Sequence, residues 1–169
     1  RNLIIVQTDL KNLKTELKLE LQSILSYWTE NTIDTKNGGF IGQIDYNNLK
    51  NEEAEKGSVL NARLLWTFSA AYKISHNQEH LNTAERAFEY ISTHFYDAEF
   101  GGVFWSINPD GTPKDTKNQI YALAFVIYGL SEYYSVTLDK KSLELAISLY
   151  TKIQEYSYDS LKGGYLEAF

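Results

Sequence analysis

The 169-residue chain has no cysteine, which excludes disulfides and thiolate metal sites and leaves the redox compartment open. It has only two prolines, so little interrupts helical periodicity. No Asn-x-Ser/Thr triplet occurs, and no apolar run approaches the length of a membrane span. The early run LIIV (3–6) is too short for a signal-peptide core. The chain begins with Arg1 rather than Met, which predicts processing or an internal start. Basic residues are outnumbered, 16 against 22 acidic, for a net charge of −6. With no basic stripe to offset that acidity, nucleic acid is not an expected partner. A cytoplasmic globular protein is expected.

Aromatic residues are abundant: 13 Tyr, 8 Phe and 3 Trp. Tyr and Trp pair a broad apolar face with a polar tip, which suits sugar clefts and also ordinary helix–helix interfaces.

The strongest internal signal is a repeated phrase: DTKNGGF (34–40), DAEFGGV (97–103) and DSLKGGY (159–165). The glycine pairs start at 38, 101 and 163, so the steps are 63 and 62. The register extends beyond the glycines. At a step of 62, Tyr72 matches Tyr134, Leu81 matches Leu143, Ala84 matches Ala146 and Ile91 matches Ile153. A period of this length marks a repeated supersecondary unit.

Each unit reads as two helices and a Gly-Gly loop. Apolar residues at 10, 13, 17, 21, 24, 25 and 28 predict an amphipathic helix from Leu10 to about Glu30. More apolar helices are expected over Ser58–Ser75 and Asn118–Val136, and amphipathic ones over about 79–95 and 140–156. The first kind suits an inner layer and the second an outer layer. Each glycine pair is expected to end an amphipathic helix as a left-handed cap. GGVFWSINPDGTPKD predicts a short hairpin around Asn108–Gly111, with FIGQIDYNNLK (40–50) as its counterpart. The expected fold is therefore all-α: an α/α toroid with short β-hairpins at one end. Six units of about 62 residues would close such a ring, roughly 370 residues in all. On that reading residues 1–169 are the N-terminal half of an (α/α)6 barrel, about three of six repeats.

NGGFIGQIDY, KGSVLNARLLWTFSAAY, EFGGVFWSINPDGTPKDTKNQIYALAFVIYGLSEYY and KGGYLEAF resemble the N-acylglucosamine 2-epimerase family, most of all its cellobiose 2-epimerase branch. The resemblance runs from about residue 20 to the end. It implies an (α/α)6 barrel that epimerises the reducing-end glucose of a β-1,4-linked disaccharide without a cofactor. It also implies that the two acid/base histidines lie beyond residue 169 and that the rest of the barrel is this chain's partner. A half-ring leaves apolar faces uncovered, so self-association is a further expectation.

Such a reaction opens the sugar ring, removes the proton at C2 and returns it to the opposite face through a cis-enediolate. A fixed cation against the enediolate oxygens suits it, and arginine offers a permanently charged planar fork. Arg63 in VLNARLLW matches the family arginine at the cavity. Without the resemblance, an edge salt bridge from Arg63 to Glu52, Glu53 or Glu55 competes with that role. Tyr121 in KNQIYALAF matches the family's cavity tyrosine, against an ordinary interhelix role. Trp66, three residues after Arg63, and Trp105, on the expected hairpin, are further substrate-contact candidates, Trp66 competing with a core role. Asn61 and Gln119 lie near helix starts as caps or supports. His76, His80 and His94 fall on connections or outer-helix ends, so neither catalysis nor a metal site is expected of them. Asp45, Asp110 and Asp115, on the decorated loops, are the carboxylates a glycosidase reading would need. A carbohydrate-binding fragment without chemistry is the remaining alternative.

Overall fold

The computed structural model describes residues 2–168, with side chains from residue 9 onward. The chain forms two compact units, Arg1–Ile33 and Asp34–Phe169. The first is one helix, α1 (Asn2–Asn31), which starts earlier than the apolar stripe alone predicts.

The second unit holds α2 (Ser58–Ser75), α3 (Gln78–Tyr90), α4 (Ile120–Thr137) and α5 (Lys140–Tyr156). The step of 62 holds in the helix boundaries themselves: α2 starts at 58 and α4 at 120, while α3 starts at 78 and α5 at 140. The helical turn repeats too. His76 and Leu138 both close the preceding helix in the left-handed conformation, at φ 53° and 56°. The next residues, Asn77 and Asp139, each cap the following helix by accepting from the amide two residues on. Those side chains satisfy one of the amides that every helix start leaves unpaired.

Contacts between α2 and α4 fix their direction. Trp66 meets Tyr128, and Lys73 meets Glu132 and Ser135, so the two helices run parallel. They meet closely at Gly129, where an added Cβ would lie 2.7 Å from the Ala62 carbonyl oxygen. Helix α3 packs on α2, and α5 on α4, which gives the two layers expected. Leu65, Phe68, Leu123, Val126 and Leu130 are buried between them. Each such side chain contributes roughly 1.5–3 kcal/mol by leaving water.

Helix α3 does not stop at Tyr90. It continues as a π-helical turn, Ile91–Phe95, closed by the Tyr96 amide donating to the Ile91 carbonyl. Helix α4 starts two residues later than its periodicity suggests. The Asn118 side chain is occupied accepting from the Val103 amide, and Gln119 takes the position before the first helical residue.

The Gly-Gly phrases correct one expectation. They do not cap the helices, which end several residues earlier. Each forms its own closed loop, built by the aspartate. Asp34 Oδ1 accepts from the amides of Lys36 and Asn37, Asp97 Oδ1 from Glu99 and Phe100, and Asp159 Oδ1 from Leu161 and Lys162. In each loop the Asp amide donates to the carbonyl of the second glycine. All six glycines have positive φ, which explains the residue type. The phrase is thus a loop-closing device, and its Asp is as necessary as its glycines.

The hairpins form where expected. Strands β1 (Gln43–Ile44) and β2 (Lys50–Asn51) pair antiparallel. Strand β3 (Lys56–Gly57) pairs with β4 (Ser106–Ile107), which pairs with β5 (Pro113–Asp115). Strand β3 runs straight into α2, so the hairpins gather at the N-terminal ends of the parallel helices. No described helix is long and apolar enough to cross a membrane.

Candidate functional site

The N-terminal end of α2 is anchored from two sides. Ser58 donates its amide and its hydroxyl to the Trp105 carbonyl, at 3.1 and 3.0 Å, tying the helix start to the second hairpin. On the other side stands Lys56, only 1% exposed. Its ammonium donates to Asp34 Oδ2 at 2.8 Å, to the Gly38 carbonyl at 2.7 Å and to the Tyr90 hydroxyl at 3.1 Å. Three acceptors offset the cost of burying that charge. Burial pushes the Asp34 carboxyl up, but the Lys56 ammonium and the Asn37 and Lys36 amides outweigh it, and its pKa lies below the usual value. The ion pair locks the first Gly-Gly loop, α3 and the start of α2 together.

Arg63 sits in the second turn of this anchored helix. It is exposed, and it makes no ion pair or hydrogen bond among the described residues. The edge salt bridge does not form: Glu55 pairs with Lys114 at 2.6 Å instead. Three residues on, Trp66 stacks on Tyr128, with centroids 5.1 Å apart and planes 10° from parallel. Phe125 meets the Tyr128 ring edge-on at 6.4 Å, and Tyr121 lies 4.8 Å from Phe125. Four rings thus form a continuous strip across α2 and α4. Tyr121, Ala124, Phe125 and Tyr128 line a groove of about 390 Å³ along it. Tyr121, at its end, is 57% exposed. Since Trp66 is level with Tyr128 on parallel helices, Arg63 is level with Phe125, one turn from Tyr121.

Trp105 is partly exposed on the hairpin, its carbonyl holding α2. Asn61 is 1% exposed; its Nδ2 donates to the Gly57 carbonyl, and its Oδ1 has no partner. Gln119 stands at the start of α4 without a side-chain cap bond, and its backbone bridges to Ala168. The histidines stay away from Arg63: His76 caps α2, His80 Nδ1 bonds Ser75 Oγ, and His94 lies in the π-helical turn against Tyr90. Among the described residues no three acidic, imidazole or thiol groups converge on a metal site. The glycosidase candidates are turn-formers. Asp45 and Asp115 accept from nearby amides, and the Thr112 amide and hydroxyl hold the Asp110 carboxyl below its usual pKa. A general acid needs the opposite shift.

Phe125, Tyr128 and Lys56 were not singled out by sequence. The step of 62 carries the signal for two of them, since it aligns Arg63 with Phe125 and Trp66 with Tyr128.

The model for N-acylglucosamine 2-epimerase (GlcNAc 2-epimerase) matches residues 39–169, most of the chain. The chain belongs to the N-acylglucosamine 2-epimerase family. It is 50% identical over 157 residues to the cellobiose 2-epimerase of Bacteroides fragilis, covering 92% of this chain and 40% of that protein. It is 23% identical over 154 residues to the D-mannose isomerase of Marinomonas mediterranea, 38% of that protein's length. The solved structure of cellobiose 2-epimerase from Spirochaeta thermophila superposes with a TM-score of 0.91 at 36% identity, covering 95% of this chain and 40% of that one. The fold is that of the N-terminal part of an (α/α)6 barrel, and the chain spans about 40% of the length of these relatives. Helices α2 and α4 form one layer, and α3 and α5 pack against it as the other.

Proposed function

We propose that this chain is the N-terminal portion of a sugar 2-epimerase acting on the reducing-end glucose of a β-1,4-linked disaccharide such as cellobiose. The observation that carries the reading is Arg63: an uncommitted guanidinium on an inner helix, beside a strip of four aromatic rings. Proton transfer at C2 develops negative charge on two adjacent oxygens, and Arg63 meets them with its planar fork. One good donor of this kind is worth on the order of 3 kcal/mol in the transition state. Tyr121 bonds a hydroxyl near C1–C2, while Trp66 and Trp105 border the sugar. The acid and base come from the remainder of the barrel, and no cofactor is needed. The isolated chain is accordingly inactive.

The third Gly-Gly loop supports a missing covering helix. In the first loop the Tyr90 ring of α3 lies against Gly39, and in the second the Lys152 ammonium of α5 donates to the Phe100 carbonyl beside Gly101. Tyr90 and Lys152 are one repeat step apart. At Gly163 and Gly164 nothing among the described residues comes within 4 Å of a built Cβ. A further outer helix fits there, and without it the exposed surface favours self-association.

N-acylglucosamine or mannose are alternative substrates within the family, because the substrate walls come from both parts of the barrel. The test is incubation of cellobiose in D2O with the isolated chain and with the full-length protein containing it. Deuterium at C2 and a mannose-containing product from the full-length protein alone is the expected result. Cellobiose binding by the isolated chain, with no exchange from either protein, would instead favour a binding role.

A further inference from the structure

The three Gly-Gly loops share one closure, and the first departs from it at a single bond. In the second and third loops the amide of the first glycine donates to the aspartate carbonyl, Gly101 to Asp97 at 2.9 Å and Gly163 to Asp159 at 2.8 Å. In the first loop the Asp34 carbonyl accepts from the Arg86 guanidinium at 2.6 Å instead. The Gly38 amide is left without an acceptor among the described residues. The residue before that glycine differs too. It is Phe100 in the second loop, Lys162 in the third and Asn37 in the first. Asn37–Gly38 is the one Asn-Gly dipeptide in the chain.

Such a pair carries its own chemistry. The carboxamide carbon of an asparagine lies within reach of the next residue's backbone nitrogen, and a bond between them closes a cyclic imide. Glycine has no side chain to shield that nitrogen or to restrict the backbone turn that closure needs. Here the nitrogen is also free of the hydrogen bond that its two counterparts make. Asn37 and Gly38 are only half-buried, so water reaches them.

The consequences fall on Lys56. Its ammonium donates to the Gly38 carbonyl at 2.7 Å and to Asp34 Oδ2 at 2.8 Å. Asn37 Nδ2 stands 3.5 Å from that same Asp34 oxygen. The loop has little slack, because a Cβ built on Gly39 would lie 2.5 Å from the Tyr90 ring.

We propose that Asn37–Gly38 is a self-deamidation site whose reaction loosens the Lys56 lock. The Gly38 nitrogen bonds to Asn37 Cγ, and Nδ2 leaves as ammonia with the proton that Gly38 gives up. Water then opens the imide at one of its two carbonyls. One product is an aspartate at position 37, whose carboxylate faces Asp34 Oδ2 and repels it. The other is an isoaspartate, which adds a methylene to the main chain ahead of the Gly38 carbonyl, in a loop already packed on Tyr90. Both products disturb an acceptor of the buried ammonium. The site is independent of the epimerase reading.

The test is ageing of the 169-residue chain at mildly alkaline pH, folded and in denaturant, followed by peptide mapping with mass spectrometry and by thermal melting. The peptide holding Asn37 is expected to gain about 1 Da, as amide becomes carboxyl, ahead of every other asparagine peptide. Its rate in the folded chain is expected within about tenfold of that in denaturant, a barrier difference under about 1.4 kcal/mol. Aged protein is expected to melt earlier than fresh protein. Asn37→Lys places in this loop the residue that the third loop carries, and Asn37→Gln has a longer side chain that closes its ring far more slowly. Both variants are expected to gain no mass there and to keep their fresh melting temperature on ageing. Protection of the folded chain well beyond tenfold, a modified chain that melts like the fresh one, or equal ageing losses in the variants would overturn the assignment.

Discussion

Trp66 and Tyr128 occupy equivalent positions of two successive repeats and stack face to face, 5.1 Å between centroids. The pair joins α2 to α4 and continues the aromatic strip beside Arg63. A double-mutant cycle of Trp66→Leu and Tyr128→Leu is expected to give a coupling of about 0.5–1.5 kcal/mol in chemical denaturation. Additive losses would show that the rings contribute only burial.

The Lys56–Asp34 pair makes a stronger prediction. Lys56→Met leaves a buried carboxylate without its cation and is expected to destabilise the fold by about 3–5 kcal/mol. Asp34 has a folded pKa below the usual value. The stability it contributes is present above the ordinary carboxylate value of 3.8 and is lost as pH falls through the lowered folded value. Denaturation curves between pH 2 and 6 check this, with Asp34→Asn expected to flatten the acid limb.

Tyr133 acts at the other end of the scale. Its pKa is raised from 10.0 to about 12, so its contribution is complete below pH 10 and disappears as pH rises through 12. Ionisation in the unfolded chain should cost the fold on the order of 1–2 kcal/mol across that window. Tyr133→Phe removes the group that titrates and should reduce the alkaline loss. Identical alkaline curves for the two proteins would contradict the assignment.

Gly129 sits where α2 and α4 touch. Gly129→Ala places a methyl 2.7 Å from the Ala62 carbonyl and is expected to cost about 1–3 kcal/mol by overpacking, despite alanine's better helix propensity. A thermal melt distinguishes the two effects by sign.

The layered α/α fold was legible because the helices repeat in length as well as pattern. Ser58–Ser75 is one structure with the register expected of it, and Ile120–Thr137 is its copy. The Gly-Gly phrase is legible as a landmark, but its loop-closing role is not. Positive φ serves a helix cap and a closed loop equally, and only the Asp34, Asp97 and Asp159 bonds to amides two and three residues ahead separate them. Lys56 was not legible at all. Its partners are 22 residues back in Asp34 and 34 ahead in Tyr90, and no local pattern announces such a meeting. Arg63 stood out because a charge interrupts an apolar helix. Its freedom from Glu52, Glu53 and Glu55 required the structure, which pairs Glu55 with Lys114.

The central claim is that Arg63 stabilises charge at the reacting carbons. The most direct measurement is the rate of cellobiose epimerisation by the full-length protein carrying Arg63→Ala, with folding checked by thermal melting. The account predicts kcat lower by about 10²–10³-fold with an unchanged melt, as for loss of one oxyanion donor. A variant that folds and turns over within about twofold of the parent, well short of the tenfold that 1.36 kcal/mol represents, would contradict it.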